Sequence, residues 1–421
     1  MNYLLLPDLA AMSLLLGILY FLRRRHPGES VDYWLVALVF IFLEAIIHAA
    51  YPKPGPWRSV AHVAALNFFY IAGAIFLWAS GKDLFPRRSF RLYLVLNSLP
   101  VMVLLTTYGL GGQNFRVYEW ISLAGLLLGV ASAFAVARRR KMGRGWWLIA
   151  VQCCTWPPIW YLASTGSFRA ATYFSLFVVY FATAVVFEMA LPRNSLGRVA
   201  IVIGFVVWSL VFLFHSWTAS HQGYDVISDE IWNLQKFLVT IGMLLVLLEQ
   251  QVATNEWYAQ HDHLTGLPNQ RLFENRLAAA IEQSQDGKTR TALLMVDLNG
   301  FKLINDSHGH EIGDELLRHI SQNLRGAIRP RDTLARLGGD EFMIIATDLP
   351  ADQPASAIAE ASVSRISTSL RKPVSINGKA FTVTGSIGAA VYPDDATDEG
   401  TLRRLADERM YEQKRQMPLN F

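Results

Sequence analysis

From the first residue to about residue 250 the chain alternates long apolar stretches with short polar breaks; beyond that point charged residues recur every few positions. Nine apolar stretches stand out: Leu9–Leu22, Tyr33–Ala50, Val60–Ser80, Leu92–Tyr108, Trp120–Ala137, Trp146–Ser164, Ala170–Leu191, Val199–His215 and Trp232–Leu248. A bilayer crossing takes about 20 apolar residues, so each is a candidate span. The paired Pro157 and Pro158 are expected to break one of them, which would reduce nine to eight. The first stretch has no basic residues before it and Arg23–Arg25 after it, the reverse of a cleavable leader, so it is expected to remain as an anchor.

Composition agrees with the pattern: 52% of residues are hydrophobic and 17% charged, far from the average soluble chain. A net charge of +4 does not point to nucleic acid, because the basic residues cluster beside apolar stretches. Arg23–Arg25, then Lys82 with Arg87, Arg88 and Arg91, then Arg138–Lys141 with Arg144, then Arg193 with Arg198 occupy alternate breaks. The other breaks hold only Lys53, Arg58, Arg116 and Arg169, which is fourteen basic residues against four. The alternation predicts nine spans, with the N-terminus outside and residue 250 inside. Cys153 and Cys154 are adjacent and cannot easily bridge, so no disulfide framework follows.

Polar groups inside spans are costly and invite a functional reading. Glu44 and His48 share a helix face, and the topology sets His48 and His62 toward the outer ends of neighbouring spans. A ligand or proton-sensing site is one reading, but interhelical hydrogen bonding is the simpler account, and more so for Asn67, Asn97, Gln152 and Glu188. Sparse polar groups and no repeat of broken helices argue against a transporter.

After the last span, Leu245, Leu248, Val252 and Ala259 keep a helical step, so the span is expected to continue as a short amphipathic helix. An alternation of helix and strand signals follows: helices near Gln270–Gln283, Asp314–Ala327, Ala355–Leu370 and Thr401–Lys414, and strands Thr291–Val296, Thr333–Leu337, Phe342–Ala346 and Ala380–Ala390. Asp297 stands where the strand TALLMV ends, a position from which a carboxylate can hold a divalent cation over a nucleotide. The segment ARLGGDEF sets Gly338, Gly339, Asp340 and Glu341 between two apolar strands. The glycines permit a tight hairpin that a phosphate can approach, and the acids face whatever arrives. Alone, such a turn is an ordinary solvated one.

Its context makes it distinctive. Residues from about Asp262 to Lys414 resemble a GGDEF domain through five motifs in order: DHLTGLPN from Asp262, VDLNGFKLIND, HGHEIGDELL, ARLGGDEF, and VTGSIGAAVYP with LADERMYEQK. The resemblance implies an α/β domain with a palm-like central antiparallel sheet flanked by helices, behind an all-α polytopic membrane domain of about nine helices. The expected division is 1–248 as membrane sensor, 249–261 as signalling helix and 262–421 as GGDEF domain.

The resemblance also implies a diguanylate cyclase, joining two GTP into cyclic di-GMP with release of two pyrophosphates at the cytoplasmic face of a bacterial inner membrane. Asp297, Asp340, Glu341 and the carbonyl of Leu298 would hold Mg²⁺, with Mn²⁺ as the alternative, and Asp340 and Glu341 would be the catalytic acids. Asn305 and Asp314 would recognise guanine; Phe301, Lys302, Gly338, Gly339 and Lys414 would line the phosphates. Because one domain holds one GTP, a homodimer is implied, embedded in lipid and with no nucleic-acid partner. Arg329 and Asp332 match the family's inhibitory cyclic di-GMP site, for which Arg365 is a loosely aligned second arginine. Two departures are visible: Gln270 replaces a commonly basic residue, and Met417 and Pro418 stand where Gly and Arg are usual. They leave a catalytically silent GTP or cyclic di-GMP receptor as the alternative, although such receptors usually lose the acids that this chain keeps. No phosphodiesterase domain is expected after Lys414.

Overall fold

The computed structural model of the chain describes residues 6–25, 28–50, 57–138, 146–218, 225–285 and 288–416. It divides into two compact units, Met1–Gln250 and Gln251–Phe421.

The first unit is helical: α1 (Leu6–Arg25), α2 (Glu29–Ala50), α3 (Arg58–Gly81), α4 (Arg87–Gly109), α5 (Phe115–Arg138), α6 (Trp147–Ser164), α7 (Phe168–Ala190), α8 (Leu196–Thr218) and the start of α9 (Asp225–Gln260). Among the described residues seven helices are long and apolar enough to cross a membrane, not nine. The apolar part of α1 is short, bounded by Asp8 and Arg23–Arg25. Helix α6 has only 18 residues, and Gln152, Thr155 and two prolines dilute its apolar character. Those prolines do not break it: α6 runs through both, with Trp156 and Ile159 buried around them. Helices in a packed bundle tolerate proline because neighbours hold the segment where backbone bonds are lost.

Polar side chains tie the helices together. Asn67 of α3 donates to Thr106 of α4 (3.3 Å), Asn97 of α4 to Ser132 of α5 (3.0 Å), and Gln152 of α6 to the Tyr93 hydroxyl of α4 (2.6 Å). Glu44 of α2 pairs with Lys236 of α9 at 3.6 Å, both side chains being 4% exposed. Glu188 pairs with Arg198. Helix α9 continues unbroken past the apolar stretch to Gln260, as the step of Leu245, Leu248 and Val252 predicts.

The second unit contains the end of α9, then α10 (Gln270–Ser284), β1 (Thr289–Leu298), α11 (Phe301–His308), α12 (His310–Ala327), β2 (Thr333–Gly338), β3 (Glu341–Pro350), α13 (Ala355–Leu370), β4 (Val374–Ile376), β5 (Lys379–Phe381), β6 (Gly385–Tyr392) and α14 (Glu399–Gln416). Four strands form an antiparallel sheet in the order β2-β3-β1-β6. Alternate residues of β1 serve two cores. Leu294 and Val296 join Leu316 and Ile320 of α12 and Ile366 of α13; Leu293 joins Phe273 of α10 and Leu402 and Ala406 of α14.

Two expectations change. The single strand Ala380–Ala390 is split, its first part pairing with β4 in a separate hairpin. The segment after Asp297, for which no helix was expected, contains α11. Gly388 of β6 lies under α14, where a Cβ would stand 1.9 Å from the carbonyl oxygen of Ala406 and 2.3 Å from the Met410 nitrogen.

Candidate active site

Three carboxylates come together at one end of the sheet. Strand β1 delivers Asp297 directly opposite Glu341, the first residue of β3, and Asp340 precedes it in the hairpin. The β2–β3 turn closes because Gly339 adopts φ +53°, a conformation that costs glycine little. The Leu298 N–H donates to the Asp340 carbonyl at 3.2 Å, fixing the turn against β1. Leu298 itself is buried.

The acids perturb one another. Burial, then the charge of Asp297, raises Asp340 above its ordinary 3.8. Burial, then Asp297 and Asp340, raises Glu341 above 4.5. Such a cluster calls for a cation. In the structure that cation is the ammonium of Lys414 on α14, which donates to both oxygens of Asp297 at 2.8 Å. Lys414, expected to line the phosphates, is thus paired with a metal-ligand candidate.

Among the described residues no group of three acids or histidines forms a ready-made metal cage. The donor set still fits Mg²⁺, which favours oxygen ligands and is held by one or two carboxylates plus substrate phosphates and water rather than by a closed protein shell.

Next to the acids, Asn299 is held by its backbone N–H on the Thr384 carbonyl (2.9 Å) and by the Ser386 hydroxyl, which donates to its Oδ1 (2.9 Å). Helix α11 then begins at Phe301, whose side chain is buried in the core, while Lys302 is exposed. Asn305 of α11 and Asp314 of α12 are brought to neighbouring turns. Asn305 Oδ1 is buried with no hydrogen-bond partner among the described residues, and a Cβ on Gly313 would lie 1.8 Å from it. Asp314 is exposed.

Arg329 and Asp332 are brought together in the turn after α12. Asp332 is buried, and its carboxylate accepts from the Arg329 N–H (2.9 Å) and the Thr347 N–H (3.4 Å), while the Arg329 side chain is exposed. Arg365 lies half-buried on α13, its Nε buried with no partner among the described residues. Gln270 opens α10, capped by Asn269. Met417 and Pro418 lie outside the described residues.

Sequence reading missed Arg336. This buried residue of β2 bonds Asp262 Oδ1 at 2.8 Å and donates from Nε and Nη2 to the Gly339 carbonyl at 3.1 and 2.7 Å. Burial alone would raise Asp262, but hydrogen bonds from Thr265 and Arg336 outweigh it and hold the carboxyl below its ordinary range. The opening motif therefore buttresses the glycine turn. An apolar strand carrying one arginine two residues before the glycines was the available signal.

Fold and site together define a class: an antiparallel α/β domain with carboxylates from a strand end and a glycine hairpin gathered at one end of the sheet. Residues 259–418 match the family described as "Diguanylate cyclase, GGDEF domain", and they are a GGDEF domain. Two relatives from Pseudomonas aeruginosa align with it. The bifunctional diguanylate cyclase/cyclic di-GMP phosphodiesterase MucR is 43% identical over 160 residues, covering 38% of this chain and 22% of MucR. The diguanylate cyclase TpbB is 37% identical over 170 residues, covering 40% of this chain and 38% of TpbB. The chain thus spans less than two-fifths of either relative. The solved GGDEF domain of TpbB is 37% identical, covering 37% of this chain and 90% of that one, with a TM-score of 0.35.

Proposed function

We propose that the protein is a diguanylate cyclase that condenses two GTP into cyclic di-GMP and two pyrophosphates. The observation that carries this reading is the convergence of Asp297, Asp340 and Glu341 beside the glycine turn. Bound Mg²⁺, or Mn²⁺, would neutralise triphosphate charge and activate the attacking 3′-hydroxyl. Asp297, Asp340 and the Leu298 carbonyl are its proposed ligands, with Glu341 as a further ligand or proton acceptor.

The remaining roles are those the resemblance implies, and the positions of the side chains support them. Asn305, with an unpartnered buried oxygen, and exposed Asp314 suit the guanine edge, where a carboxylate accepts from N1–H and N2–H. Backbone N–H groups of 299–302 and the open Gly338–Gly339 turn would cradle phosphates, with Lys302 nearby. Lys414 would exchange Asp297 for a phosphate when the cation and substrate arrive. The 3′-hydroxyl of one GTP attacks the α-phosphate of the other, and pyrophosphate leaves, twice; positioning and charge neutralisation lower the barrier. Two domains must face each other, so the active form is a homodimer, for which exposed Leu248 and Val252 on α9 offer an apolar seam. Arg329, with Asp332 fixing its turn, would bind product and inhibit.

Seven apolar helices support residence in a membrane, and the alternating loop charges support an inner membrane with the N-terminus outside, the GGDEF domain in the cytoplasm and the helical unit as its regulator where α1 and α6 cross as well. The second reading, a silent receptor, is favoured by one observation, the closure of Asp297 by Lys414. Full-length protein in nanodiscs, given GTP and Mg²⁺, should release cyclic di-GMP and pyrophosphate. Neither product, in a preparation that still binds GTP, would leave the receptor.

A further inference from the structure

One end of the helical unit carries a second polar site that the cyclase reading does not use. A cavity of about 390 Å³ opens there, lined by His48, Arg58, His62, Tyr108, Arg169 and His215 among others. The elements bring these residues together for a simple reason: His48 and His215 lie in the last turns of α2 and α8, Arg58 opens α3, and Arg169 is the second residue of α7. Two helix N-termini, each with unsatisfied N–H groups and a positive dipole end, therefore meet at the same cavity.

The charge is one-sided. Among the described lining residues there are two arginines and three histidines and no acid. The span carboxylate Glu44 lies one turn deeper on α2, near enough to His48 and Tyr173 to act on them, and pairs with Lys236. Arg169 is held in place: its Nη2 lies 2.8 Å from His215 Nε2, and its guanidinium stands 5.6 Å from the Tyr173 ring centre. Arginine can only donate, so His215 Nε2 accepts, and that ring nitrogen carries no proton. Arg169 Nε is nevertheless buried with no hydrogen-bond partner among the described residues. A buried guanidinium donor without an acceptor is costly, and an oxyanion satisfies it in the planar, paired geometry that arginine favours. The three histidines do not form a metal-holding group.

We propose that this cavity binds a small oxyanion, a carboxylate or phosphate group held by Arg169, with Arg58 and the two helix N-termini completing the charge. The volume falls within the range of small-molecule pockets. The oxyanion can be a soluble organic acid, inorganic phosphate or the phosphate of a lipid headgroup. The inference does not depend on cyclase activity, and its test contains no turnover.

The full chain in phosphatidylcholine nanodiscs is titrated with succinate, citrate and inorganic phosphate at constant ionic strength, and separately reconstituted with phosphatidylglycerol. The unfolding temperature is read throughout, because a ligand that binds only the folded state raises it. At least one probe should raise it saturably, and Arg169→Gln should weaken the apparent affinity at least tenfold. Arg58→Gln, at an exposed position, serves as the second variant should Arg169→Gln not fold. A response to phosphatidylglycerol alone identifies a lipid headgroup as the ligand. No response of the natural chain to any probe, or an equal response in the folded variants, overturns the proposal.

Discussion

The ammonium of Lys414 lies 2.8 Å from each carboxylate oxygen of Asp297, so a residue near the end of α14 neutralises the acid at the end of β1. An incoming divalent cation has to displace it. Lys414→Met therefore removes a competitor as well as a partner. Without metal, the variant should lose about 1 kcal/mol, the scale of a partly exposed ion pair. Added Mg²⁺ should then stabilise it more than it stabilises the natural chain, read as the difference in unfolding temperature with and without chelator. Equal gains in the two proteins would mean that Lys414 does not compete.

The same acids set a pH dependence. Asp340 and Glu341 titrate above their ordinary 3.8 and 4.5, burial being the first cause and neighbouring acids the next. The folded state therefore holds protons that the unfolded state has already released, and stability falls as pH rises through that window. In chelator, Asp340→Asn with Glu341→Gln should be more stable than the natural chain at pH 7, with the advantage vanishing below about pH 4, in urea titrations. A constant difference across pH would show that repulsion is not its source.

Arg336 should behave as a buttress. Replacing it with methionine leaves the half-buried Asp262 without its cation and frees the Gly339 carbonyl, at a cost of about 3 kcal/mol. Asp262→Asn with Arg336→Met should cost less than the sum of the single changes, because each single removes the same contact. Strict additivity in a double-mutant cycle would show that the two act separately.

Gly313→Ala places a methyl 1.8 Å from the present position of Asn305 Oδ1. The amide is the end of a side chain and can swing aside, so the fold should survive. On the proposed function, KM for GTP should rise about tenfold, as for a lost neutral hydrogen bond, with kcat less affected. Unchanged steady-state constants would remove Asn305 from guanine recognition.

In the helical unit, Glu44→Gln or Lys236→Met should each destabilise by about 3–5 kcal/mol, since either leaves a buried charge unpaired. The double substitution should recover most of the loss, as measured by thermal unfolding of the full chain in detergent. Failure to recover would assign the loss to packing.

Much of this was legible in the sequence, for reasons that differ by residue. Asp297 was found because an unbroken apolar run must end somewhere, and its end is visible. Pro157 and Pro158 misled because their cost depends on the neighbours of α6, which sequence does not give. Helix α11 is eight residues long, too short to show a helical period, and it is flanked by Gly300 and Gly309. The Arg336–Asp262 pair joins residues 74 apart along the chain, and nothing local marks them as partners. Lys414 was recognised as a site cation, but the carboxylate it would choose before substrate arrives depends on how α14 lies on the sheet.

That placement rests on an atom that is missing. At Gly388 the backbone of α14 comes closer to β6 than any side chain would allow. A methyl at 388 would act as a wedge beneath the helix, and because Gln413 is tied to the Ile387 N–H and Lys414 is the next residue, the wedge would lift the hand that covers Asp297. The charge state of the acid cluster is thus governed from below, by the bareness of one position in the strand that pairs with Asp297 through Ser386.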